Sequence, residues 1–245
     1  MRKLYEMINC QLRNPIPRPV LDLKQCQHLI FDGTYLHRPL GLVALMDAKT
    51  HTLVAGRYNV PENSESKLLE FFQGLKQAGL NPHSFTVDGN PNVMKVLRYL
   101  WPEVMIQRCL VHIQRQGLSW CRISPRTTYG RWLRNIFLQV TRIRTLADRE
   151  EFLKAVTLWE ARYGSQIGAR RERGHVFSDI KRARSMLLRA LPDMFHYLDN
   201  PPIPISTNGL EGYFSRLKAH YRQHRGLRAE KRADYFHWYF YFVPK

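Results

Sequence analysis

Two short runs close on the same dipeptide, and each ends in an acid that can do chemistry. Leu29, Ile30 and Phe31 lead into Asp32 and Gly33; Ser84, Phe85, Thr86 and Val87 lead into Asp88 and Gly89. Apolar and β-branched residues bounded by a turn-permitting glycine predict buried strands. A carboxylate at the end of such a strand is expensive to bury unless a cation or hydrogen-bond donors meet it. Hard divalent ions such as Mg2+ take oxygen ligands and are held by one or two carboxylates together with substrate phosphates. Two acids at the ends of neighbouring strands therefore predict a metal site. Asp-Gly is also a common strand-end turn, and that plainer reading stands beside the first.

A third acid lies far along the chain, in the stretch from Thr207 to Lys218. A helix starting here puts Leu210, Phe214, Leu217 and Tyr221 on one face and Glu211, Ser215, Lys218 and Arg222 on another. A carboxylate leading a cationic stripe suits a metal-bound phosphate whose backbone the cations track. Asn208 as N-cap with Glu211 three residues later also fits a capping box, and the two roles can coexist. Lys218, Arg222, Arg225 and Arg228, interleaved with His220, Tyr221 and His224, predict a DNA-tracking face. Cys109 and His112 supply two ligands, which do not complete a tetrahedral zinc site, and a cysteine in an apolar strand usually just packs. Arg108 and Arg115 flank them and either touch phosphate or lie on a solvated face.

These residues need elements to position them. The 245 residues suffice for one or two domains with a real core. Residues 1–27, with Pro15, Pro17 and Pro19, read as a linker segment running extended. Strands are expected over 28–36, 41–47 and 52–60 as an antiparallel meander. Ser64 then caps a helix ending at Gly79, the Asp88 strand follows, and Asn90 caps a second helix with Pro91 in its first turn. Residues 104–113 read as a strand passing into a helix, so residues 28–113 form the first part of an α/β domain. From 114 to 204 the strand signal disappears, predicting an all-helical insertion in which Asp148 and Glu151 make a capping box and Trp159 packs in the core. Residues 205–245 are helical, with Tyr235, Trp238, Tyr239 and Phe242 at helical spacing in a closing helix packed on the sheet.

Charge narrows the partner. With 38 Lys and Arg against 20 Asp and Glu, the net charge of +18 points to nucleic acid first and an anionic membrane surface second. The sequence contains neither a run of about 18 apolar residues nor a secretory leader. Four cysteines without CxxC spacing predict a reduced, cytosolic protein with no disulfide frame.

Taken in order, FDGTY with Asp32, VDGN with Asp88, RCLVH with Cys109 and His112, and TNGLEGYFSRLK with Glu211 resemble the DDE transposases of the Mutator-like type and their prokaryotic insertion-sequence relatives. The resemblance covers residues 28–227. It implies a ribonuclease H-like mixed sheet flanked by helices, with an all-helical insertion before the last catalytic acid. It further implies Asp32, Asp88 and Glu211 as catalytic residues and ligands of Mg2+ or Mn2+, with Cys109 and His112 near the site. DNA is the implied partner, bound by a homodimer or larger assembly, associated with the nucleoid in a prokaryote. Such transposases usually carry an N-terminal DNA-reading domain, and too few residues precede Pro15 to form one. The expectation is a catalytic portion, with an inactive DNA-binding descendant and a nuclease of the same fold as alternatives.

Overall fold

The computed structural model describes residues 22–37, 40–170, 179–224 and 226–245, with residues 3, 6, 7, 10 and 11. The proline-rich part of the expected linker and Arg225 lie outside the described residues. The strands are β1 (His28–His37), β2 (Leu40–Asp47), β3 (Leu53–Tyr58), β4 (Ser84–Val87) and β5 (Met105–Arg108). The helices are α1 (Glu65–Gln77), α2 (Pro91–Leu100), α3 (Leu110–Cys121), α4 (Thr128–Gln139), α5 (Leu146–Gly168), α6 (Ile180–Ala190), the single turn α7 (His196–Asp199), α8 (Asn208–Arg222) and α9 (Arg232–Phe242). The strands form one mixed sheet in the order β3-β2-β1-β4-β5. Strands β1, β2 and β3 pair antiparallel, whereas β4 runs parallel to β1. Two compact units emerge, residues 1–104 with 207–245, and residues 105–206.

In the first unit each sheet face has its own cover. Leu29 and Phe31 project to one side, where Phe31 meets Phe72 of α1 at 4.9 Å between ring centroids and Phe72 meets Trp101 at 6.3 Å. Asn90 caps α2 by accepting the Asn92 N–H at 3.0 Å, and Pro91 follows it. Gly79, at φ 101°, ends the segment after α1 in the left-handed conformation that glycine takes without cost. On the opposite face, Ile30, Leu42, Ala44 and Met46 pack against Leu210, Phe214 and Leu217 of α8 and Phe236 and Phe240 of α9. The closing helix forms as expected but turns a different edge inward: Phe236, Tyr239 and Phe240 are buried, while Phe242 is exposed and stacks on Trp238. The Gly56 position decides this, because a Cβ there would lie 2.6 Å from the Phe240 ring; the aromatic side chain fills the space glycine leaves.

The second unit is helical after β5. Trp159 is 2 % exposed and donates its indole N–H to the Tyr129 carbonyl at 2.9 Å, so it is a core residue as expected. The capping box lies one turn earlier than the Asp148–Glu151 pairing predicts. Thr145 caps α5, its hydroxyl accepting the Asp148 N–H at 3.1 Å while the Asp148 carboxylate accepts the Thr145 N–H at 2.8 Å. Two backbone donors to that carboxylate, from Arg144 and Thr145, hold Asp148 below its ordinary pKa. Among the described residues all four cysteines are free thiols, and no helix is long and apolar enough to cross a membrane.

Candidate active site

Asp32 sits within β1 and is only 7 % exposed. Its carboxylate accepts the Gly33 N–H at 2.9 Å. Antiparallel register sets it opposite Ala44, which in turn faces Gly56 of β3. Small residues therefore flank Asp32 along the row, and at Gly56 the Phe240 ring occupies the space the glycine leaves.

Asp88 follows the last residue of β4. Its Oδ1 accepts the Asn90 N–H at 2.9 Å, and Gly89 between them has φ 95°. This Asx turn fixes the carboxylate at the strand end while Asn90 caps α2. The plain turn and the candidate site thus coexist in the same residues.

Strand pairing relates the two acids. His28, Leu29 and Ile30 match Ser84, Phe85 and Thr86, a constant offset of 56 residues. Carried two residues further, the same offset matches Asp32 to Asp88. Parallel neighbours lie about 4.8 Å apart, and matched positions share a face. The paired row across the unit reads Gly56, Ala44, Asp32, and Asp88 stands one residue past the end of β4.

Glu211 stands on α8, which covers this same face. A Cβ on Gly209 would be 3.2 Å from Met46 Sδ and 3.8 Å from Ile30 Cδ1, so the first turn lies against β1 and β2. Further along α8, Tyr221 meets Phe236, which meets Tyr58, the partner of Leu42. The helix thus runs in the direction from Ile30 to Thr34. Glu211 lies about 3 Å along the axis from Gly209 at 1.5 Å per residue, in the first turn of the helix that covers the face carrying Ile30. One flank of α8 faces α9: the Tyr213 hydroxyl donates to the Val243 carbonyl at 2.8 Å, and Arg216 lies over the Tyr213 ring. At 100° per residue, Glu211, Ser215, Lys218 and Arg222 fall on the opposite flank, away from β3 and toward β4. The capping box expected at Asn208 does not form. Thr207 is the N-cap, with no side-chain capping bond, and its carbonyl accepts the N–H groups of Leu210 and Glu211 at 3.0 and 3.1 Å.

The donor chemistry fits a hard divalent ion: carboxylate oxygens on rigid elements, two of them in matched register. Among the described residues no three His, Cys, Asp or Glu side chains stand together closely enough to hold a metal ion. Mg2+ is ordinarily bound by one or two carboxylates with substrate phosphates completing the shell, so two register-matched aspartates with a glutamate on the covering helix suit it.

Cys109, His112, Arg108 and Arg115 belong to the second unit. Cys109 is fully buried at the N-cap of α3, and His112 lies half-buried in the first turn. Arg108, at 8 % exposed, is not on a solvated face, whereas Arg115 is exposed. Of the cations expected to track DNA, Lys218 is half-buried and Arg222 exposed, while exposed Arg228 stands 4.0 Å from the exposed Glu230. Sequence reasoning missed Glu62. The position a Gly33 Cβ would take is 2.8 Å from the Glu62 carboxylate, and the Glu62 carbonyl accepts from the Asn92 side chain at 3.2 Å. No local motif marks it, because the contact joins residues far apart in sequence.

A mixed five-stranded sheet flanked by helices defines an α/β protein. The model of the transposase Mutator family matches residues 51–175, just over half of the chain, and the chain belongs to that family. The matched stretch includes Asp88, Cys109 and His112; Asp32 and Glu211 lie outside it. None of the curated proteins matches the chain. Transposases act on DNA, which accords with a net charge of +18.

Proposed function

We propose that the first unit is the catalytic core of a DDE transposase with a ribonuclease H-like fold, in which Asp32, Asp88 and Glu211 hold Mg2+ or Mn2+ and direct phosphodiester cleavage and strand transfer. The observation that carries this reading is the 56-residue register offset, which is also the spacing of the two aspartates. On this reading residues 114–204 are a helical insertion that interrupts the catalytic domain before its last acid, and the enzyme works as a dimer or larger assembly on DNA.

Mg2+ or Mn2+ held by Asp32, Asp88 and Glu211 would activate the nucleophile and stabilise the leaving oxygen. The chain's own residues prepare that chemistry. The Asp32 and Asp88 carboxylates are each held in place by a backbone N–H donor. Glu211 brings a third negative charge from the covering helix, and Lys218 and Arg222 on its flank hold backbone phosphates. In the cleavage step a water oxygen bonds to phosphorus, the bond to the 3′ oxygen breaks, and a 3′-hydroxyl and a 5′-phosphate result. In the joining step that 3′-hydroxyl replaces water. Cys109 and His112 support the second unit near the start of α3, and Arg108 and Arg115 neighbour them in sequence.

Labelled duplex DNA incubated with Mg2+ or Mn2+, with nicked and joined products scored separately, tests the proposal. Wild-type protein is expected to give both products, and Asp88→Ala neither, with an unchanged circular-dichroism spectrum. Nicks without joining would make it a nuclease of the same fold, and DNA binding without nicks an inactive descendant. Cleavage retained by Asp88→Ala would remove Asp88 from the site.

A further inference from the structure

We infer that the tip joining α3 to α4 is a second DNA-backbone contact, built from Arg122, Arg126, Arg131 and Arg134 and independent of the residues assigned to catalysis. The inference rests on the reading that DNA is the substrate. Between Glu103 and Asp148 the sequence has no acid and no lysine, yet it has eight arginines. Four of them converge at this tip. Arg134 donates to the Arg122 carbonyl at 2.9 Å, and Arg131 donates to the Arg126 and Pro125 carbonyls at 3.1 and 3.4 Å. Arg131 and Arg134 are about one helical turn apart.

Three observations favour phosphate as the ligand. None of the four forms an ion pair among the described residues, whereas Arg184 and Arg182 in α6 of the same unit pair with Glu160 and Asp179. Asp179 approaches the end of α3, its N–H on the Trp120 carbonyl at 3.2 Å, but its carboxylate is engaged by the Arg182 side chain and N–H. Second, the guanidinium groups of Arg131 and Arg134 are anchored on backbone carbonyls, which aligns their remaining donors and reduces the entropy lost when a phosphate is gripped. Third, Arg122 holds φ 64°, a conformation that glycine adopts freely and a side chain does not, directly after the end of α3. Non-glycine residues held in this costly conformation cluster at functional positions. The adjacent Ile123 is 86 % exposed, so the tip projects into solvent. Together these features form a preorganised cationic knob matched to a nucleic-acid backbone.

The test measures binding of the full chain to a random-sequence duplex across a salt series. Each phosphate contact adds about 0.9 to the slope of log K against log salt. Replacing Arg122, Arg126 and Arg131 by alanine together should reduce that slope by about 2.7, whereas replacing Lys24, Lys95 and Lys154 by alanine should leave it nearly unchanged. Arg122→Gly separates binding from folding, because it relieves the left-handed backbone: the unfolding midpoint should hold or rise while the slope falls by about 0.9. If wild-type protein binds and the arginine variants keep its slope, the tip assignment is overturned and the DNA reading stands. An equal loss in the lysine control would reduce the effect to net charge and also overturn it. If wild-type protein fails to bind duplex DNA, both readings fall.

Discussion

His28 opens the strand that carries Asp32, and its Nδ1 lies 2.9 Å from the Ser84 hydroxyl, the first matched pair of the β1–β4 register. Burial, and then the neighbouring His83, push its imidazole below the ordinary value, against a lesser pull from Asp47. A lowered folded pKa means that the unfolded chain takes up the proton first. The stability associated with neutral His28 is therefore intact above about pH 6.5, the unfolded value, and declines as pH falls toward the lower folded value. Urea midpoints measured from pH 7.5 down to 5 should show this decline, and His28→Gln should flatten it. Parallel curves for the two proteins would mean that His28 does not govern this pH range.

Elements obey packing more than propensity, as Gly117 in α3 illustrates. Alanine is about 1 kcal/mol better than glycine inside a helix, so intrinsic preference favours Gly117→Ala. A Cβ at Gly117, however, would collide with the Phe137 ring of α4, which packs directly on that backbone. Overpacking costs about 1–3 kcal/mol, and Gly117→Ala should lower the stability of the helical unit by a net amount of about 1 kcal/mol, read from chemical denaturation. A gain in stability would show that the ring moves aside freely. The same contrast explains which features were legible in sequence. The strands at 28–36, 41–47 and 84–87 and the Asn90 cap were legible because alternation and capping are local signals. The Thr145 box was missed because two overlapping residue sets, Thr145 with Asp148 and Asp148 with Glu151, offer similar spacing, and only the hydrogen bonds decide between them. The inward edge of α9 was missed because the gap at Gly56 that accepts Phe240 lies on another strand.

At the scale of the whole molecule, the account depends on chain-distant acids meeting within one unit formed by residues 1–104 and 207–245. Sequence placed Asp32 and Asp88 on strands, but only pairing makes their 56-residue spacing a register. Glu211 could be assigned to a helix from its pattern; the flank it occupies follows from the contacts of Tyr213 with Tyr239, Phe240 and the Val243 carbonyl. Glu62 beside Gly33 was invisible, since nothing local links residue 62 to residue 33. The most direct test of the convergence loads the protein with Fe2+ in place of Mg2+ and maps the backbone breaks produced by ascorbate and peroxide. The proposed site requires cuts clustered beside Asp32, Asp88 and Glu211 together, suppressed by excess Mg2+. Cuts near the two aspartates without any near Glu211, or cuts that Mg2+ does not suppress, would contradict it.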